Sequence, residues 1–194
     1  MNDSDIDRLT RIERVNVIGT SGSGKSTFGR QLADCLRLPF VELDSVFWKP
    51  NWTEPSDDEF FPLVETITSG ARWVLDGNYT RTMPIKWRRV QLVVWLDMPF
   101  LKTLYRVTSR CVRRSLTHME IWPGTGNRET LRKAFLSRDS VIWWSVTTYR
   151  QNRRRYREVM TSAEYPHIWF VRLRSAREVD AFLEAARQAV ATKL

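Results

Sequence analysis

Gly19-Thr20-Ser21-Gly22-Ser23-Gly24-Lys25-Ser26 is the stretch that decides how this chain folds. It follows the apolar run Val15-Asn16-Val17-Ile18 and precedes a helical pattern from Thr27 to Leu36. G-x-x-x-x-G-K-[ST] between a buried strand and a helix is the Walker A form of a phosphate loop. Its glycines let the backbone curl with N–H groups pointing inward at an anion, where side chains would block the approach. The helix that begins near Lys25 adds unpaired N–H groups and the positive end of its dipole. Lys25 has the reach for β- and γ-phosphates, and the Ser26 hydroxyl is placed to ligate Mg²⁺. Gly19, Thr20, Ser21, Gly22, Ser23, Gly24, Lys25, Ser26 and Thr27 are therefore the candidate residues for ATP and its magnesium.

Outward from this loop, strands and helices alternate. Leu38–Leu43 reads as a second strand ending at Asp44, with Pro39 tolerable only at its beginning. An aromatic, turn-rich stretch follows through Phe47, Trp48 and Trp52. Ser56-Asp57-Asp58-Glu59 reads as a capping box opening a helix that Gly70 stops. Arg72–Asp76 and Gln91–Leu96 are a third and a fourth strand, each closed by an aspartate, Asp76 and Asp97. Phe100 to about Leu116 is one long helix. After a loop at 117–127, another helix carries Leu131, Phe135, Ile142, Val146 and Tyr149 near one face. A fifth strand, His167–Val171, and a helix from Ala176 to Ala191 end the chain. Near-continuous apolar strands separated by helices predict a three-layer α/β fold, a parallel sheet covered on both faces. Ligands of such a sheet sit beyond the carboxyl ends of its strands, where the phosphate loop, Asp44, Asp76 and Asp97 all fall.

At 194 residues the chain is expected to make a single domain. Residues 1–13 read as a polar, frayed lead-in. Cys35 and Cys111 are isolated and fit neither a disulfide framework nor a zinc site, and a reducing cytoplasm suits them. No stretch approaches the ~20 apolar residues of a membrane span. The net charge of +9 is unevenly spread: 7 Lys/Arg face 12 Asp/Glu in residues 1–70, whereas 13 face 3 in residues 106–157. This basic block, nearly all arginine, suits either closure over a polyphosphate or contact with nucleic acid.

Phosphoryl transfer needs charge neutralisation and alignment. Asp76 stands where a carboxylate reaches Mg²⁺, directly or through water. Asp44 is placed to take a proton from an acceptor, to orient it, or to hold a metal-bound water. Phe47, Trp48 and Trp52 are candidates for an acceptor wall by stacking, or for core. Arg106, Arg110 and Arg113 recur at spacings of four and three on one helix face, and Arg114 adds a fourth guanidinium. Guanidinium forks match phosphate oxygens and keep their charge when water is excluded.

Leu75-Asp76-Gly77-Asn78-Tyr79-Thr80-Arg81 resembles the adenylate-kinase-like branch of P-loop kinases, in which an arginine after Asp-Gly grips the acceptor phosphate. Arg81 is its nearest counterpart here. With Leu43-Asp44-x-x-Phe47-Trp48 and Leu173-Arg174-Ser175, the chain also resembles the bacterial DNA topology modulation proteins. That resemblance implies a five-stranded P-loop kinase fold and an Arg-rich lid over about 106–157. Residues 45–70 are expected to form an acceptor-side helical insertion, and Asp44, Phe47, Trp48, Gly77, Asn78, Tyr79 and Arg81 are the candidates to meet the second substrate. The resemblance also places the ATP base near Arg174 and Ser175. Two functions follow: an ATP-dependent kinase for a nucleotide or another small molecule, or an ATP-binding regulator using Arg150 and Arg153 to Arg157 on DNA. A simple NTPase is a third. The acceptor and the oligomeric state stay open.

Overall fold

The computed structural model describes residues 3–137 and 140–191, without the side chains of Lys133 and Leu136. Five parallel strands form one sheet: β1 (Arg14–Gly19), β2 (Phe40–Glu42), β3 (Trp73–Asp76), β4 (Leu92–Leu96) and β5 (Trp169–Leu173), in the order β2-β3-β1-β4-β5. β1 is central, with Val15 opposite both Val74 and Leu92, and Val17 opposite Asp76 and Val94. Alternation along β1 sends Val15 and Val17 into one core and Ile18 into the other, so both sheet faces are buried, as parallel strands require. Each fully buried Val, Leu or Ile stabilises by about 1.5–3 kcal/mol.

On the first face pack α1 (Asp3–Thr10), α2 (Lys25–Leu36) and α9 (Ala176–Ala191), through Leu9, Leu32, Phe182 and Ala186. The other face takes α3 (Leu43–Phe47), α4 (Asp57–Ser69) and the short α5 (Met83–Lys86), with Phe47, Phe60, Trp87 and Trp95 in its core. Beyond the carboxyl edge stand α6 (Phe100–Thr117), α7 (Leu131–Leu136) and α8 (Val141–Thr161), with a small core of their own at Val107, Cys111 and Ala134.

Several expectations change. Residues 3–10 are helical rather than frayed, because Leu9 and Ile12 are buried in the α9-side core. β2 stops at Glu42; the Ser45 hydroxyl donates to Glu42 O at 2.7 Å and turns Leu43 and Asp44 into α3. The helix expected across 131–155 is two. Ser140 starts α8 by accepting from Ile142 N and Trp143 N at 3.2 and 3.4 Å, and it donates to Ala134 O of α7. Leu131, Phe135 and Val146 are consequently exposed, while Tyr149 is buried. The capping box at Ser56 and Glu59 forms as expected.

Candidate active site

The phosphate loop turns through two left-handed glycines, Gly22 at φ 79° and Gly24 at φ 97°. A Cβ on Gly22 would lie 2.3 Å from Thr103 O of α6, so the loop is packed directly against that helix. α2 begins after Gly24 with neither a side-chain cap nor an acidic residue in its first turn. Its first N–H groups and its positive end thus face the cavity without a competing carboxylate from the helix. Lys25 Nζ donates to Thr20 O at 3.3 Å across the loop.

Over this loop lies one face of α6. Arg110 Nη2 donates to Ser21 Oγ at 2.8 Å, and Arg106 Nη1 comes within 3.5 Å of the Cβ position of Gly24. Arg106, Arg110 and Arg114 all line the cavity, a spacing of four and four; Arg113 is exposed and stands off that face. The face expected at 106, 110 and 113 is corrected accordingly, since residues at successive spacings of four stay on one helix stripe. Arg114 also lies 3.9 Å from the buried carboxylate of Glu129.

Beneath the loop, β3 delivers Asp76. Ser26 Oγ donates to Asp76 Oδ2 at 2.5 Å, while Asp76 Oδ1 is buried with no hydrogen-bond partner among the described residues. Burial pushes the Asp76 pKa up against the opposing pull of Lys25 and the Ser26 hydroxyl, and the carboxylates of Asp44 and Glu42 push it up further. A buried carboxylate with one oxygen unpartnered beside a serine hydroxyl is the oxygen donor set that Mg²⁺ takes, with waters and phosphate completing it. Ser26 and Asp76 therefore fit the ion that the loop implies. No group of three or more His, Cys, Asp or Glu able to hold a metal occurs among the described residues.

The loop after Asp76 is held from below by residues that sequence reasoning missed. Lys86 is fully buried, and its Nζ donates to Gly77 O at 3.0 Å and Tyr79 O at 3.4 Å. Burial brings its pKa down to about 7, partly offset by the charge of Asp76. Asn16, inside β1, donates to Leu75 O and Gly77 O and accepts from Trp87 Nε1 at 2.8 Å. Asn78 then reaches across to the phosphate loop: its Oδ1 accepts from Gly19 N at 3.0 Å and its Nδ2 donates to Gly19 O at 2.5 Å. Asn78 thus clamps the start of the phosphate loop.

Across the cavity from the phosphate loop, Asp44 is exposed, and its Oδ1 accepts from Tyr79 OH at 2.7 Å. Burial, with the charge and hydrogen bond of Asp44 added, holds the Tyr79 phenol far above its ordinary value. Phe47 is buried against Phe60, Tyr79 and Trp48 and is part of the core, yet it also lines the cavity, as does the half-buried Trp48. Arg81 lies over Phe47 and Phe60 and pairs with Asp57 at 2.9 Å. Arg155 Nη1 donates to Thr80 Oγ1 at 2.8 Å from α8. Glu42, whose carboxylate pairs with Arg30 at 2.7 Å, also lines the cavity.

One cavity of about 1450 Å³ joins these groups, from Ser21–Thr27 through Asp76–Arg81 to Trp48, Trp52 and Trp122. That is room for more than one ligand of ordinary size. Its other arm is lined by Phe28 and Gln31 of α2 and by Ala176, Val179 and Asp180 of α9. Arg174 and Ser175, expected near the ATP base, are not among the lining residues. Arg174 N donates to Glu178 Oε2, and Ser175 Oγ accepts from Glu178 N, which makes this pair the cap of α9. Asp97 is structural as well: its buried carboxylate is held by Arg153 and Arg172. With Arg153 on Asp97, Arg154 on Glu158 and Arg155 on Thr80, the basic run of α8 is divided among different partners.

The shikimate kinase family profile matches residues 21–57, from the phosphate loop through Asp44 to the start of α4. Shikimate kinases of Synechococcus elongatus and of a second Synechococcus strain are each 32% identical over 107 positions, which cover 47% of this chain and 55% of theirs. The chain therefore spans about half the length of the curated relatives it matches. Among solved structures, shikimate kinase from Acinetobacter baumannii in complex with shikimate is similar at a TM-score of 0.58 and 19% identity, covering 97% of this chain and 99% of that one. Shikimate kinase from Bacteroides thetaiotaomicron aligns at 0.54 and 13% identity, over 94% and 99% of the two chains. Among the described residues no helix is long and apolar enough to cross a membrane. The fold is the three-layer α/β fold of P-loop kinases, a five-stranded parallel sheet with helices on both faces.

Proposed function

We propose that this chain is an ATP-dependent small-molecule kinase that transfers the γ-phosphoryl group of Mg²⁺–ATP to an acceptor hydroxyl. The observation that carries the reading is the single cavity in which the Ser26–Asp76 pair and the Asp44 carboxylate face one space. Partial likeness to shikimate kinases supports the same reaction class and makes shikimate the first acceptor to try.

Backbone N–H groups of residues 22–27 and Lys25 hold the phosphates, and Arg106 and Arg110 close over them from α6. Ser26 and Asp76 would hold the Mg²⁺, which would supply neutralising charge at the phosphates. Asp44 accepts the acceptor proton as the acceptor oxygen bonds to the γ-phosphorus. The bond from that phosphorus to the β,γ-bridging oxygen breaks, and its electrons leave with ADP. Tyr79 OH holds one Asp44 oxygen, which leaves the other for the acceptor. Enclosure by the α6–α8 region excludes water and limits hydrolysis.

The test is ATP turnover with shikimate, other cyclic and open-chain alcohols, nucleosides and nucleoside monophosphates. Asp44→Asn should lower kcat by about 10²–10⁴-fold for a hydroxyl acceptor, while ATP affinity holds. Transfer to a monophosphate, with Asp44→Asn nearly silent, would instead favour a nucleotide kinase. Phosphate release that no acceptor stimulates would refute the kinase reading.

A further inference from the structure

Between α6 and α7 the chain reaches over to the segment that follows α3 and is fastened there by one side chain. Asn127 is 1% exposed; its Oδ1 accepts from Trp52 N at 2.9 Å, and its Nδ2 donates to Lys49 O at 2.9 Å. Both ends of a buried amide are thus satisfied by backbone far away in sequence, which fixes the loop in one register. Ile121 N donates to Asn127 O at 2.9 Å and closes the loop behind it.

This fastening sets Trp122 against two other indoles. Its ring centroid is 6.2 Å from that of Trp48 with planes 18° apart, and 5.7 Å from that of Trp52 at 76°. Trp48 and Trp52 meet at 5.6 Å and 71°. All three rings are half-buried and line the cavity that holds Asp44. Indole faces left partly open inside a cavity are apolar surface that a bound ligand removes from water. Such a wall offers mostly ring faces, with a single Nε1–H donor on each indole, so it rewards a flat partner. An open-chain polyol covers it poorly and loses rotamer freedom in doing so.

We infer that Trp48, Trp52 and Trp122 form a stacking wall selecting an acceptor alcohol built on a ring, with Asn127 as the positioning residue that holds Trp122 in place. The ring is aromatic, or saturated with an apolar C–H face; the shared chemistry is a flat apolar face beside a hydroxyl. Because Trp122 comes from the α6–α7 loop and its partners from the opposite side, ring binding and loop docking stabilise each other. The inference takes the word acceptor from the kinase reading, but the wall itself can be tested without turnover.

Binding to the full chain with ADP and Mg²⁺ is measured by saturation-transfer NMR for shikimate, adenosine and myo-inositol as ring probes and ribitol as the open-chain probe. At least one ring probe should bind more tightly than ribitol, with its ring protons nearest the protein. Trp122→Ala should weaken that probe about tenfold, Trp122→Phe should restore most of the loss, and Asn127→Ala should weaken it by a similar factor. ADP affinity should stay within about twofold in all three variants. No preference for ring probes, or a Trp122→Ala variant that binds them unchanged, overturns the inference. So does a loss of ADP affinity in step with the probe. Ring-probe binding that depends on Trp122, in a protein whose ATP turnover no acceptor stimulates, would refute the kinase reading and leave the wall standing.

Discussion

Ser26 Oγ and Asp76 Oδ2, 2.5 Å apart, tie the end of the phosphate loop to the end of β3, although 50 residues separate them in sequence. Asp76 nevertheless keeps one oxygen buried and unpartnered, and burial holds its pKa up. A carboxylate kept under those conditions costs stability, as residues built for a ligand often do. Asp76→Asn should therefore abolish most Mg²⁺-dependent turnover while stabilising the fold by on the order of 1 kcal/mol at neutral pH. The sign with pH follows from the raised folded pKa. Wild type has its full stability below the unfolded carboxylate value and loses some as pH rises through the folded one, so the variant's advantage should grow over that window. Urea titrations of both proteins across it check this, and a variant less stable than wild type at neutral pH would contradict it.

Gly22 packs against α6 at a left-handed φ, and a Cβ there would meet Thr103 O, which is backbone and cannot step aside. Gly22→Ala adds a left-handed penalty of about 1–2 kcal/mol to that clash. The expected outcome is a lower Tm together with ATP affinity reduced at least about tenfold. Gly124→Ala is the control, because φ is also positive there but no atom lies within 4 Å of the added Cβ. It should keep ATP affinity, and equal loss in both variants would place the effect in backbone strain alone.

Arg110 donates to Ser21 Oγ at the phosphate loop, whereas Arg113, one turn on, is exposed outside the cavity. Arg110→Ala should lower kcat about 10²–10³-fold, as removal of a preorganised cationic donor does. Arg113→Ala should leave kcat within about twofold. Steady-state kinetics on both variants separate a positioned guanidinium from a general effect of positive charge.

Much of this site was legible in the sequence because its signals are local. A phosphate loop needs glycines, lysine and serine in fixed order, and a strand ending in Asp76 announces a carboxylate at the sheet edge. The capping box before α4 is equally local. What escaped depends on distant parts of the chain. Lys86 sits in a short basic stretch, Ile85 to Arg89, that carries no motif, yet it is buried where Gly77 and Tyr79 turn their carbonyls toward it. Asn127 looks like a loop asparagine until Lys49 and Trp52 supply its partners. The arginine face was misjudged by one position, since spacings of three and four both suit a helix and only packing chooses between them. Arg174 and Ser175 drew attention through resemblance, but a serine three residues before Glu178 serves first as a helix cap.

Lys86 also gives the fold a pH signature of its own. Its pKa falls from 10.5 in the unfolded reference to about 7 in the fold, because burial penalises the ammonium more than Asp76 supports it. Between those values unfolding takes up a proton, so stability rises with pH there. Below about 7 both states are protonated and the penalty is complete. Above 10.5 neither state is charged and the penalty is gone. Lys86→Met keeps the length and removes the titration, along with the two hydrogen bonds to Gly77 O and Tyr79 O. Wild type minus Lys86→Met stability should therefore climb from pH 7.5 to pH 9, with a limiting slope of about 1.4 kcal/mol per pH unit. Loosening of the Gly77–Tyr79 turn should raise the KM for ATP as well, since Asn78 on that turn holds Gly19. Parallel stability curves for the two proteins would mean that Lys86 stays charged in the fold, donating to the two carbonyls.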